Sequence, residues 1–158
     1  MEIVNDFSTS VRKALSEIDP QWETYPGLVV CGTHTPHDVE GMIRKIQIAR
    51  EQGIPFLGIC FGHQLAAIEY ARNVLGIKDA TSEELGEGTF IVKKRAEGLK
   101  VGLHEGETYW NNFQVDTEFY KKWPRNPKMI TCQYHPEYES SLHRPHQLLV
   151  DFIELCKK

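Results

Sequence analysis

Two short apolar runs, Leu28 to Cys31 and Pro55 to Ile59, are each followed by a longer stretch with apolar residues at three- and four-residue steps. After the first run, Met42, Ile43, Ile46 and Ala49 mark one side of a helix that Asp38 is placed to cap, that continues to Glu51 and that Gly53 closes. After the second, Leu65, Ile68, Ala71, Val74 and Leu75 mark a helix from Gly62 to Leu75, with Gly76 at the left-handed stop position. Strand, helix, strand, helix predicts a parallel sheet with right-handed crossovers. The expected fold class is therefore α/β: an open, doubly wound, mostly parallel sheet with flanking helices.

The flanks fit that scheme. Thr9 to Ile18 carries Val11, Ala14, Leu15 and Ile18 at helical spacing after a very short opening strand, and Pro20 ends it. Leu148, Leu149, Phe152, Ile153 and Cys156 predict a terminal helix behind Pro145. Between them, Thr89 to Val92, a piece from Tyr109 to Val115, and Met129 to Tyr134 read as strands that extend the sheet or form a hairpin on its edge.

With 158 residues, 41% of them hydrophobic, residues 1–158 fit one domain with a real core. A net charge of -4 without a basic run gives no footprint for nucleic acid or an anionic membrane. No window has the apolar length of a membrane span, and the opening MEIVNDFSTSVRKAL lacks the features of a secretion signal, so a cytoplasmic protein is expected. Cys31, Cys60, Cys132 and Cys156 show no pairing or metal spacing, which suits free thiols. His34, His37 and Asp38 beside Cys31 crowd into one loop without a second ligand pair, so a solvated loop is expected there and neither metal nor cofactor. Trp110 and Trp123, with Tyr109 and Phe113, are expected in the core rather than in a partner patch.

Cys60 stands out among the thiols. If Ile59 ends a strand and Gly62 lies in the next helix, Cys60 occupies a sharp strand-to-helix turn that Gly58 and Gly62 make sterically possible. Its sulfur then projects at the carboxyl edge of the sheet, beside the positive end of a helix, where thiolate chemistry is favoured. The N–H of Phe61 would point where an oxyanion develops. A thiol nucleophile needs a histidine to move the proton and a third group to orient that histidine. Cys132 to Glu137 reads Cys-Gln-Tyr-His-Pro-Glu, and a two-residue spacing in extended chain puts His135 and Glu137 on one side, with Pro136 favouring that geometry.

Gly58 to Gln64, G-I-C-F-G-H-Q, followed at a distance by H-P-E at His135 to Glu137, resembles the class I (triad) glutamine amidotransferases. "IPFLGIC", "AAIEYARNVLGIKDA" and "HPEYESSLHRP" resemble, within that family, the glutaminase domain of CTP synthase, and the similarity covers most of the chain from about Gly27. The resemblance implies a flavodoxin-like three-layer fold, a Cys60, His135 and Glu137 triad, and glutamine or another γ-glutamyl amide as the small-molecule substrate. It further implies that Gln64 and Glu84 help hold the glutamine head group, and that ammonia passes to a separate synthetase chain.

Two departures qualify the resemblance. The family's glycine-rich oxyanion loop is replaced by Cys31-Gly32-Thr33-His34-Thr35-Pro36-His37-Asp38, in which Gly32 or Thr33 still offers a backbone donor. Where the family's carboxylate-gripping arginine would stand, "TYWNNFQVD" places Asn112, leaving Arg95 or Arg144 as substitutes. The synthetase domain is absent, so this chain is not expected to make CTP alone. Three readings follow: a glutaminase, a hydrolase of another γ-glutamyl conjugate or small amide, and a catalytically weak binding or regulatory subunit.

Overall fold

The computed structural model describes residues 1–5 and 9–158. Strand β1 (Glu2–Val4) leads through α1 (Thr9–Ile18) and a 3-10 turn at Trp22–Thr24 to β2 (Leu28–Val30). Helix α2 (Val39–Gln52), strand β3 (Phe56–Ile59) and helix α3 (Phe61–Asn73) complete the expected alternation. Then come β4 (Ala80–Ser82), β5 (Thr89–Lys94), β6 (Lys100–His104), β7 (Glu107–Asn111) and β8 (Phe113–Val115). A 3-10 stretch at Thr117–Lys122, β9 (Met129–Cys132), a 3-10 turn at Pro136–Tyr138 and α4 (Gln147–Lys157) close the chain.

The main sheet has the order β1-β2-β3-β9, with every neighbouring pair parallel. Side chains alternate along its strands, so Leu28, Val30 and Phe56 join α2 and α3 in one core cluster. Val29, Leu57 and Ile59 join α1 and α4 in the other. Each fully buried side chain of this kind contributes about 1.5–3 kcal/mol, which lets strands of three or four residues hold. The α/β doubly wound expectation matches this arrangement. Glu69 of α3 is fully buried, and Arg50 of α2 donates to it twice, Nε to Oε1 at 2.7 Å and Nη2 to Oε2 at 3.0 Å. That fork ties the two helices of one face together.

The second half differs from expectation in several places. Tyr109 to Val115 is not one strand: β7 pairs with β6 as a separate antiparallel ribbon, while β8 pairs with β5. The break falls at Asn112, where Asn111 Nδ2 donates to Phe113 O at 3.0 Å and Asn112 O accepts from Arg95 N at 2.8 Å. Strands β4 and β6 gave no periodic signal, since β4 is three residues long and β6 contains Gly102. Met129 joins the main sheet as expected, but the strand ends at Cys132 rather than Tyr134. Asp38 precedes α2 in a left-handed conformation (φ 47°) and makes no side-chain cap bond. Gly53 and Gly76 do adopt positive φ, and His146 caps α4, its Nδ1 accepting from Leu148 N at 3.1 Å.

Two glycines set how closely α3 approaches the sheet. A Cβ on Gly62 would come within 2.0 Å of Val30 O, and one on Gly58 within 2.9 Å of the Gly62 backbone. The start of α3 therefore rests directly on β2 and β3. We predict that Gly62→Ala, which must push the helix off β2, lowers unfolding free energy in a urea titration by at least about 2 kcal/mol. A loss below about 0.5 kcal/mol would contradict this close packing.

Candidate active site

The turn between β3 and α3 holds Cys60 at φ 55° and ψ -101°, outside the regions that a non-glycine residue ordinarily occupies. The surrounding backbone sustains it: Cys60 N donates to Cys132 O at 2.8 Å, and Cys60 O accepts the first bond of α3, from Gln64 N at 3.2 Å. The Phe61 N–H, at the first position of α3, has no acceptor within its own helix. Cys60 is buried but lies on the wall of a cavity of about 540 Å³, together with Gly32, Thr33, Phe61, Gln64, Glu84, His135 and Glu137.

Strand β9 delivers the histidine. Its register puts Cys132 opposite Ile59, so three residues further His135 arrives level with the turn at Cys60. His135 N donates to Thr108 O at 2.7 Å, which pins that backbone to the β6 and β7 ribbon. The chain does not stay extended past His135, as the sequence suggested; it turns into the 3-10 segment Pro136–Tyr138. The pairing forms all the same, because the tight turn folds Glu137 back under the ring. Glu137 Oε2 lies 3.4 Å from His135 Nδ1 in hydrogen-bonding geometry, while Oε1 is nearer at 3.2 Å but off the N–H direction. The opposite nitrogen, Nε2, lies on the side of Cys60: a Cβ on Gly32 would stand 3.8 Å from Nε2 and 3.4 Å from the Cys60 Cβ. Tyr138 stacks on the imidazole, with centroids 5.1 Å apart and planes at 24°.

Electrostatics favour a charged imidazole. Burial pushes the His135 pKa down, but the bonds to Cys60 and Glu137 outweigh it and hold the value up to about 9. Burial raises the Glu84 carboxyl above its ordinary range. Burial also pushes the Cys132 thiol well up and the Cys156 thiol to about 12, as suits cysteines that pack in the core.

Gly32 sits between nucleophile and ring: a Cβ there would meet His135 Cε1 at 3.1 Å and Cys60 Cβ at 3.4 Å. A side chain at this position would wedge the pair apart. Gln64 Nε2 is engaged with Phe113 O at 3.0 Å. Arg95 and Arg144, the suggested substitutes for a carboxylate-binding arginine, do not reach the cavity. Arg95 is spent on Gly98 O, Gln114 Oε1 and Glu97, and Arg144 lies exposed in the turn it forms with Ser141.

Other wall residues had no periodic signal. Trp110 O accepts from Cys60 Sγ at 3.8 Å, and Gln133 Nε2 donates to the same sulfur at 3.6 Å. Gln133 lies within the Cys-Gln-Tyr-His-Pro-Glu hexapeptide, so its neighbourhood was legible though its contact was not. The expectation that Trp110, Trp123, Tyr109 and Phe113 lie in the core fails for Trp110, whereas Phe113 and Trp123 are partly buried against the core cluster. Trp110 is half exposed, with His34 tilted against it, whereas Trp123 packs on His63, Phe119 and Tyr120. His37 Nδ1 lies 3.2 Å from Thr35 O within its own loop. A larger groove of about 1010 Å³ runs beside β9 and includes His63 and Trp123, but it holds none of Cys60, His135 and Glu137.

The family model described as glutamine amidotransferase class-I matches residues 4–123, a span that includes Cys60 and ends before His135. A CTP synthase of Methanoculleus marisnigri is 30% identical over an alignment covering 100% of this chain and 41% of that protein. One of Nitratidesulfovibrio vulgaris is 32% identical, covering 84% of this chain and 35% of its own length. The chain thus spans about two fifths of the length of such relatives. The solved glutaminase domain of Trypanosoma brucei CTPS, with bound acivicin, shares the fold with a TM-score of 0.76 at 17% identity, over 99% of this chain and 92% of that one. No helix among the described residues is long and apolar enough to cross a membrane. The chain belongs to the glutamine amidotransferase class-I family.

Proposed function

We propose that this protein hydrolyses a side-chain carboxamide, in the first instance that of glutamine, through a thioester on Cys60. The observation that carries the reading is the meeting of Cys60, His135 and Glu137 on one cavity wall, with Gly32 as the spacer between sulfur and ring. The sulfur, its proton already on His135 Nε2, attacks the carboxamide carbon, and the carbonyl oxygen takes the negative charge. Phe61 N–H and a backbone donor from Gly32 or Thr33 hold that oxyanion. The C–N bond breaks as the imidazolium gives its proton to the leaving nitrogen, which departs as ammonia. Water, deprotonated by His135, then attacks the thioester; the C–S bond breaks and a carboxylate leaves. Glu137 keeps Nδ1 protonated and the ring oriented throughout.

Ammonia released in this way serves a synthetase, as the likeness to CTP synthases suggests. The glutaminase domain that shares this fold was solved with acivicin. On our reading acivicin labels Cys60 covalently, which intact mass measurement detects. Labelling and ammonia release both disappear in Cys60→Ala. If wild type releases no ammonia from any amide and acivicin leaves Cys60 unmodified, the binding-subunit reading replaces this one.

His135→Ala is expected to lower kcat/KM by about 10² to 10⁴, the usual worth of a positioned acid and base. A drop below about tenfold would remove His135 from the chemistry. The pH profile follows from the sign of the His135 shift. Its folded value of about 9 exceeds the ordinary 6.5, so the proton needed by the leaving group is retained through neutrality and lost as pH rises through about 9. We predict an alkaline fall in kcat/KM centred near pH 9, which Glu137→Gln moves to lower pH by removing one of the interactions that raise the ring's pKa. An unmoved limb would show that another group controls it.

A further inference from the structure

We propose that the Cys60 cavity selects amides bearing an ammonium group without a free carboxylate beside it. This rests on the hydrolase reading above and names its substrate class. Three observations lead to it.

First, among the described residues the cavity wall contains no lysine or arginine. Lys100, next in the chain to the wall residue Leu99, lies instead over the Tyr109 ring at 3.6 Å. The remaining basic wall residue beside His135 is His34, tilted against Trp110. Second, the wall carries two carboxylates, Glu84 and Glu137, of which Glu137 is committed to the imidazole. Third, Asn111 Oδ1 and Asn112 Oδ1 are buried and accept no hydrogen bond. The Asn111 amide is oriented by its Nδ2 bond to Phe113 O, so its oxygen is the atom left over.

These groups want donors. A buried acceptor without a partner costs about 1–3 kcal/mol, but both oxygens are closed off from solvent, so Glu84 is the free acceptor that the wall presents. A carboxylate brought to the same wall loses its hydration and meets another carboxylate, with no lysine or arginine to compensate. On the proposed mechanism Phe61 N–H and a donor from Gly32 or Thr33 serve the oxyanion, and Gln64 Nε2 donates to Phe113 O. An ammonium placed beside Glu84 pairs with its carboxylate in a charge-assisted hydrogen bond.

Three compounds separate the contributions. Glutamine has both groups, 4-aminobutanamide lacks the carboxylate, and 4-carbamoylbutanoate lacks the amine. The expected order of kcat/KM for ammonia release is 4-aminobutanamide at or above glutamine, and both at least about tenfold above 4-carbamoylbutanoate. Glu84→Gln is expected to lower the 4-aminobutanamide value at least about tenfold. Asn112→Arg is expected to reverse the order in favour of glutamine. Glutamine turned over faster than 4-aminobutanamide, by the wild-type protein and with Cys60 labelled, overturns this inference and leaves the hydrolase reading standing. Protection of Cys60 from iodoacetamide gives a readout independent of turnover: 4-aminobutanamide protecting at lower concentration than glutamine supports the proposal, and the reverse order overturns it. No ammonia from any of the three, together with an acivicin-inert Cys60, removes the hydrolase reading and this inference with it.

Discussion

The approach of α3 to within contact of the β2 and β3 backbones is the constraint on which the rest of the molecule depends. Gly62 stands against Val30 O, and Gly58 stands against Gly62, so no side chain separates helix from sheet. The turn joining β3 to α3 is thereby forced to be abrupt, and Cys60 takes a conformation that a free chain avoids. The cost of that backbone, of order 1–3 kcal/mol, is met by the fully buried apolar side chains on both faces of a four-stranded sheet. Strain is thus held at the one point where a sulfur has to be presented at the head of a helix.

The same sheet decides what meets the sulfur. Parallel pairing of β3 with β9 continues past the strands, through the Cys60 N–H bond to Cys132 O, so the register that packs the core also fixes where His135 emerges. The ribbon of β6 and β7 then closes over the site from outside the sheet. It accepts the His135 N–H at Thr108 O and the Cys60 thiol at Trp110 O. Packing and the geometry of the site are coupled here through the backbone, and a shift in strand register would move Cys60 and His135 relative to each other.

The apolar runs of β2 and β3 and the periodic stretches of α1, α2 and α4 were legible because their burial follows a regular period. By contrast, α3 is buried on all sides from Phe61 to Glu69 and ends at Asn73, which leaves Val74 and Leu75, expected on its buried side, exposed. The pair Gly58 and Gly62 was legible for a different reason: glycine on both sides of a cysteine is a steric statement. What escaped is what lacks a period. Strands β4 and β6 are short or half exposed, and the break between β7 and β8 hangs on the side chain of Asn111 rather than on a glycine or proline. Asp38 has the chemistry of a cap, but its left-handed backbone carries the carboxylate over Gly41 instead of onto the helix N–H groups. His135 and Glu137 were paired by a spacing argument for extended chain, yet a 3-10 turn brings them together, since a two-residue separation admits both geometries. Tyr138, Gln133 and Trp110 reach the site through tertiary contacts that no local pattern encodes.

Charge in the cavity links the proposed catalytic groups to the proposed choice of substrate. Glu137 and Cys60 hold a proton on His135 well above neutrality, which on the proposed mechanism supplies the acid that a leaving amine needs. A wall without lysine or arginine makes a poor home for an anionic substrate group. The proposed selection for an ammonium and against a neighbouring carboxylate follows from a wall whose side chains beside the imidazole include two carboxylates and no lysine or arginine.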